Sequence, residues 1–327
     1  MTSPDAYRAA RESAAVIDRS DRVRIEFTGA QAAATLNGIL TNDVMRLTPG
    51  RGQYAAALTA KGKVIADVRV FARAGDFLVD AAAAAGPPLL AMLRKFVNPR
   101  LAKFRDVSAE LGTVGLFGPG AASVAAGVCG VDAAALIVLE SFAAMPARSH
   151  ASPCTIARVP DLGVAGFDLF VPIDRVAALV SALRAAGATA LDALSADLLR
   201  VEAGRPLWGT DMDENTLAQE AALDRIGAIS FDKGCYTGQE TVARVHFRGH
   251  VNRVLRGLRC AALPPIGAVV THAENRDAGT VRSVAVSPRL GAIALAYVRR
   301  EVEDGAAVTL RWDSGEARAT VSPLPFD

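Results

Sequence analysis

The chain is 327 residues long, with 51% hydrophobic and 21% charged side chains. That is an ordinary globular composition, and it excludes an intrinsically disordered chain. Lys plus Arg number 36 and Asp plus Glu 34, a formal charge of +2. No global field therefore recruits nucleic acid or membrane, and such a partner would have to meet a local patch.

The length suits about two domains. Cys129, Cys154, Cys235 and Cys260 are scattered, and no Cys-x-x-Cys pair exists, so the spacing of a zinc or redox site is missing. The N-terminus has neither a basic n-region nor an apolar h-region, which predicts a cytoplasmic protein with reduced thiols. The longest uncharged stretch, 111–131, is broken by many glycines, and no membrane-spanning helix is expected.

Along the chain, residues 23–27 alternate as a half-buried strand. Gly29-Ala30 opens a helix with Ala33, Leu36 and Leu40 on one face. Residues 54–58 and 63–71 read as strands around a turn at Lys61-Gly62, and 77–79 follows the Gly75-Asp76 hairpin signal. A short helix spans 89–97. A strand at 113–117 turns through Gly118-Pro119-Gly120 into a helix from Ala121. A strand at 167–171 precedes a helix over 174–186, capped by Asp174 and ended by Gly187. Ser195 is expected to cap a short helix that runs to Ala203, where Gly204 and Pro206 stop it.

From about residue 242 the helical periodicity disappears. Residues 251–258, 269–271, 279–286, 293–297 and 307–312 are short strands separated by turn residues, the pattern of a small barrel or sandwich. The expected organisation is an α+β region over 1–241 and a C-terminal β-domain over 242–327.

Four segments could carry chemistry. Gly118-Pro119-Gly120, with Glu140 downstream, imitates a dinucleotide fingerprint, but its third glycine is Ser123 and Pro119 stiffens the loop; a tight strand-to-helix turn is the plainer reading. In the second segment, 199–211, Glu202 falls in the last turn of its helix, where the dipole disfavours an anion. It is either a solvated surface carboxylate or one that faces a ligand donor. In the third, Phe231 to Glu240, the Cys235 thiol lies among glycines, near Lys233 and beside Tyr236. A nearby cation lowers a thiol pKa, and the polar surroundings do not resemble a core. The other three cysteines receive no role.

The fourth segment runs from Arg244 to Arg253 and on to Arg259. Val245, Phe247 and Val251 alternate with Arg244, His246, Arg248 and His250, which predicts a strand with one apolar and one cationic face. Such a face is either an ordinary solvated one or a site for a carboxylate tail, a phosphate backbone or an acidic partner. No acidic third ligand accompanies the two histidines, so no metal site is expected.

Lys233-Gly234-Cys235-Tyr236-Thr237-Gly238-Gln239-Glu240 resembles the signature of the YgfZ-type tetrahydrofolate-binding proteins, paralogues of the glycine-cleavage T-protein (aminomethyltransferase). The likeness extends through 50–54, 58–67, 199–211, 279–283 and 292–298. It implies a cloverleaf folate-binding region followed by a small C-terminal β-barrel, with tetrahydrofolate in a central cavity. It also implies a role in assembling or maintaining iron–sulfur enzymes, including those that modify tRNA. Folate and iron–sulfur enzymes or assembly proteins are the implied partners, with tRNA contact secondary and no membrane.

The resemblance makes Glu202 the anchor of the pterin edge. Trp208 and Tyr236 become candidate walls for its rings, and Lys233 shares the signature. Arg244 or Arg248 would meet the glutamate tail, and Cys235 is the functional thiol. T-proteins follow a strand with an Asn-Ala pair and then a catalytic Asp. Here the pair is Asp80-Ala81, and no acid follows at that place. T-proteins also lack the signature's cysteine. A folate-binding accessory factor is therefore the leading expectation. A one-carbon (aminomethyl) transferase or demethylase with a divergent acid, such as Asp80, is the alternative.

Overall fold

The structure is a computed structural model. It describes every residue except Met1, His150, Ala151 and Glu274, together with the side chains of Asn275 and Arg276. Helix α1 (Pro4–Glu12) starts on Pro4, and the Ser3 hydroxyl accepts from the Ala6 amide, an N-cap that satisfies one free donor. There follow β1 (Ala15–Asp18), β2 (Val23–Thr28), α2 (Ala32–Ile39), β3 (Gly52–Leu58), β4 (Val64–Ala72), β5 (Phe77–Ala81), α3 (Gly86–Phe96) and β6 (Lys103–Asp106).

Strands β2 to β6 form an antiparallel sheet in the order β3-β4-β5-β2-β6. One face buries Ile25, Val68 and Val70 under Leu36 of α2 and Leu89 and Leu93 of α3. Strand side chains alternate, so the opposite face carries a different set. There the register aligns Tyr54, Arg69, Asp80 and Arg24 in one polar row across four strands.

The second unit contains β7 (Leu111–Phe117), α4 (Ala121–Cys129), α5 (Ala133–Ile137), β8 (Ala144–Ser149), β9 (Ser152–Arg158), β10 (Gly166–Pro172), α6 (Val176–Ala185) and β11 (Thr189–Ala190). With β1 they build a sheet in the order β11-β1-β7-β10-β9-β8. Asp174 lies in a 3-10 turn and does not cap α6, whose N-cap is Arg175. Gly118 adopts φ +122°, and a Cβ there would sit 2.5 Å from the Ser13 carbonyl. The Gly-Pro-Gly turn is closed against its own chain, as the plainer reading holds.

Helix α7 (Ala193–Glu202) is capped by Asp192, which accepts from the Ser195 amide, so Ser195 is not the cap. The helix ends where Gly204 takes φ +64°. Residues 203–238 contain neither helix nor regular strand, yet Met212, Leu223 and Tyr236 are buried against Leu58 and Val64. Helix α8 (Gln239–Arg248) follows.

The first part of the strand expected over 244–253 is therefore helix, to Arg248, and β12 (Arg253–Cys260) follows. Gly238, at φ +87°, starts α8; Glu240 occupies its first turn and His246 and Arg248 its last. Glu240 and Arg248 complement the helix dipole. Val242 packs into the core and Val245 is half-buried, while Phe247 is 66% exposed. The apolar residues thus follow a three-residue spacing, and the apparent alternation was incidental.

The barrel adds β13 (Val269–His272), β14 (Asn275–Ser287), β15 (Gly291–Arg299), β16 (Ala307–Trp312) and β17 (Gly315–Ser322). It closes in the order β12-β15-β14-β13-β16-β17. Strand β15 shows why this domain was readable. Ala294, Ala296 and Val298 fill the barrel, while Ile293, Leu295 and Tyr297 pack outward with Val201 of α7. Both faces are buried, hence the unbroken apolar run.

Candidate functional site

At a junction between these units lies a cavity of about 760 Å³, within the range of small-molecule sites. Its wall takes Arg11 from α1, Arg158 from β9, Glu202 from α7, Arg205 and Arg225 from the turns that follow, and Arg289 from the β14–β15 connection. Leu162, Ile226, Leu255 and Phe326 supply apolar surface. Five guanidiniums surround one carboxylate.

Glu202 has a definite place. It is 2% exposed, so it is not a solvated surface carboxylate. Its Oε1 accepts from the Tyr7 hydroxyl at 2.8 Å and the Ser287 hydroxyl at 2.5 Å, and Arg11 donates to Oε2. The carboxylate ties α1, α7 and β14 together. Three protein donors already occupy it, so it holds the cavity wall together.

The rest of 199–211 is equally structural. Arg200 donates to Asp211 at 2.7 Å and to the Ser283 hydroxyl at 2.9 Å, and that hydroxyl donates to Asp211 at 2.6 Å. Trp208 is half-buried between the first-sheet core and the core under 203–238. Its indole N–H is buried without a partner among the described residues. Neither Trp208 nor Tyr236 lines the five-arginine cavity.

The signature segment separates into a structural and an accessible part. Lys233 is buried, and its ammonium donates to the carbonyls of Asn37 (2.6 Å), Leu40 (2.7 Å) and Asn42 (2.9 Å). All three protons are spent on the end of α2, leaving none for a ligand. Burial lowers its pKa to about 8, and Tyr236 lies under it at 4.9 Å. Burial raises the Tyr236 phenol to about 12. Cys235 is exposed, whereas Cys129 and Cys154 are buried. Arg244 and Arg248 lie exposed on α8, outside this cavity. His246 stacks on Phe231 at 3.6 Å.

Asp80 stands in the polar row of the first sheet, 0% exposed. Its Oδ1 accepts from Arg22 Nε and Arg69 Nε, each at 2.8 Å. Arg69 also reaches Asp161 at 2.9 Å and Asp168 at 2.6 Å, and Arg19 joins both acids. Burial alone would raise the Asp80 pKa, but the two guanidiniums outweigh it and hold the carboxyl below its usual range. Beside this network the Tyr54 hydroxyl donates to Asp67 at 2.8 Å.

Arg11, Arg158, Arg205, Arg225 and Arg289 escaped the sequence reading because they come from five separated segments with no common motif. The structure alone brings them together.

Two family models match. The GCVT N-terminal domain covers residues 3–233, and the glycine cleavage T-protein C-terminal barrel domain covers 253–327. An aminomethyltransferase of Rubrobacter xylanophilus is 31% identical over 323 residues, spanning 98% of this chain and 85% of that protein. One from Bordetella petrii is 30% identical over 334 residues, spanning 98% and 87%. The crystal structure of glycine cleavage system aminomethyltransferase T from Bartonella henselae superposes with a TM-score of 0.88 at 24% identity, covering 100% of this chain and 91% of that one, a likeness of fold. This chain belongs to the glycine-cleavage T-protein family, whose cofactor is tetrahydrofolate.

Proposed function

We propose that this chain is a tetrahydrofolate-binding protein of the YgfZ-type branch that supports iron–sulfur enzymes, with Cys235 as its working thiol. The cavity fits the cofactor chemically: apolar residues can flank its rings, and guanidiniums match its carboxylates.

One observation carries the preference for binding over aminomethyl transfer. Asp80, the acid nearest in sequence to the family's catalytic position, is buried and clasped by Arg22 and Arg69. A general base needs a pKa near the working pH and a free path to the proton it takes. A carboxylate pinned by two guanidiniums and held below its usual pKa has neither. The free, exposed thiol of Cys235 is the group left for chemistry.

The test pairs anaerobic calorimetry with a turnover assay using an aminomethyl donor. Saturable tetrahydrofolate binding without methylene-tetrahydrofolate production supports the reading. Turnover that vanishes in Asp80→Asn would overturn it in favour of the transferase. For the thiol, Cys235→Ser should lower iron–sulfur enzyme activities in cells lacking the native copy. Unchanged activities there would remove the role of Cys235.

A further inference from the structure

We infer that Cys129 and Cys154 are a reversible oxidation site: a hydroperoxide converts the two thiols into an intramolecular disulfide that ties the end of α4 to β9. The site involves neither folate nor Cys235.

The topology brings the pair together. Helix α4 leaves β7 through the Gly118-Pro119-Gly120 turn and packs across β7, β10 and β8. In the sheet, β9 lies between β10 and β8, so the helix crosses β9 as well. Cys129 is the last residue of α4, and Cys154 stands on β9 opposite Ala147 of β8. Alternation along the strand puts Cys154 and Ile156 on one face. Both join Cys129 in one apolar core with Ala125 and Leu136. The two thiols interact directly. Their contact lowers the Cys129 pKa against the opposing effect of burial, and it raises the Cys154 pKa together with burial.

The pair is buried but shallow. Cys129 and Cys154 are 2% and 4% exposed, yet the adjoining Gly130 and Pro153 are exposed. Residues Pro153, Cys154 and Thr155 also form part of the wall of a cavity of about 520 Å³ between the two sheets, and exposed Pro49 and Ala74 belong to the same wall. Hydrogen peroxide has two heavy atoms and needs only a small opening there, whereas a bulky aromatic disulfide reagent needs the core to open. The end of α4 can also yield. Gly130 closes the helix at φ +63°, and a Cβ there would meet nothing within 4 Å. A disulfide demands a specific separation and dihedral, and this unpacked corner lets the helix end adjust to them.

The step needs only the peroxide. One thiol attacks its O–O bond and becomes a sulfenic acid, and one water leaves. The second thiol attacks that sulfur. The S–S bond forms, and the hydroxyl leaves with the second thiol's proton as another water. The thiols give up two electrons and two protons, and the peroxide is reduced to two waters. A dithiol reductant reverses the bond by exchange.

The test is peptide mapping of the intact chain after exposure to millimolar hydrogen peroxide under native conditions. Remaining thiols are blocked with N-ethylmaleimide, and trypsin is used without reductant. Cleavage after Arg105, Arg148 and Arg158 puts Cys129 in peptide 106–148 and Cys154 in peptide 149–158. The expected product is these two peptides joined, two hydrogens lighter than their sum and separated by dithiothreitol. Closing this loop should also raise the thermal midpoint by about 2–6 °C. Cys129→Ala and Cys154→Ala should each lose the link and the shift, while Cys260→Ala keeps both. The map of the wild type decides the matter even where a core variant folds poorly.

Peptides that stay separate although Cys235 has been oxidised overturn the site. A link from either cysteine to Cys235 or Cys260 does the same, as does sulfinic acid at Cys129 or Cys154 without a link, since the two thiols then do not meet in the folded chain. A link that forms only in urea, or that lowers the midpoint, overturns it too, because the folded geometry then does not accommodate the bond.

Discussion

At the scale of single residues, burial and partner identity decide what a charged side chain does. Glu202→Ala removes the acceptor for Tyr7, Ser287 and Arg11. Breaking a buried pair by deleting one partner costs about 3–5 kcal/mol, so urea unfolding should show a loss of that size. A Glu202→Ala defect in ligand binding must therefore be judged beside its stability. Lys233→Met strands three carbonyls at the end of α2 and should cost about 2–3 kcal/mol. Lys233→Arg should not restore it, because a planar guanidinium cannot reproduce three convergent ammonium donors. Cys235→Ser lies at an exposed position and should change stability by less than about 0.5 kcal/mol. Ellman's reagent should label Cys235 rapidly in the native protein and reach Cys129 and Cys154 only on unfolding. Fast native labelling of all three would contradict the burial described.

At the scale of elements, α8 shows how a short pattern misleads. Val245, Phe247 and Val251 alternate with basic residues, and two periods compete over so few positions. The helix prevailed because Gly238 supplies the left-handed start and Val242 reaches the core of the 203–238 region. Val245→Pro should therefore cost about 3 kcal/mol, the penalty of proline in a helix interior, whereas Phe247→Ser should be near neutral. A neutral Val245→Pro would argue against the helix. Helix α7 gives a smaller case. Asp192, not Ser195, accepts the amide at its start, and Asp192→Ala should cost about 1 kcal/mol in chemical denaturation.

At the scale of the whole molecule, the network of Arg19, Arg22 and Arg69 with Asp80, Asp161 and Asp168 joins the first sheet to the second. Burial would raise Asp80 and Asp161, but the arginines outweigh it and hold both carboxyls low. In the unfolded chain these acids return to about 3.9. A depressed folded pKa contributes stability above the unfolded value and loses it as pH falls towards the folded one. From this network, stability should stay level from neutral pH to about 5 and fall below about 4. Urea midpoints across that range check the sign, and a stability that rose on acidification there would contradict the network.

Much of the architecture was legible in the sequence. The strands at 23–27, 54–58, 63–71, 113–117 and 167–171, and five of the six barrel strands, announce themselves by local alternation or by runs buried on both faces. The exposed character of Cys235 was also legible, from its glycine-rich polar neighbours. These features depend on residues a few positions apart, the range over which side-chain period and turn chemistry act. The tertiary structure alone decided the rest. It placed Glu202 against Tyr7 and Ser287, enclosed Lys233 in carbonyls at and beyond the end of α2, locked Asp80 between Arg22 and Arg69, and set Arg244 and Arg248 on the exposed side of α8. It also gathered the arginines of five segments around one cavity. The fate of a charge depends on which distant groups the topology brings within hydrogen-bond reach and how far it excludes water, and neither is written in the residues beside it.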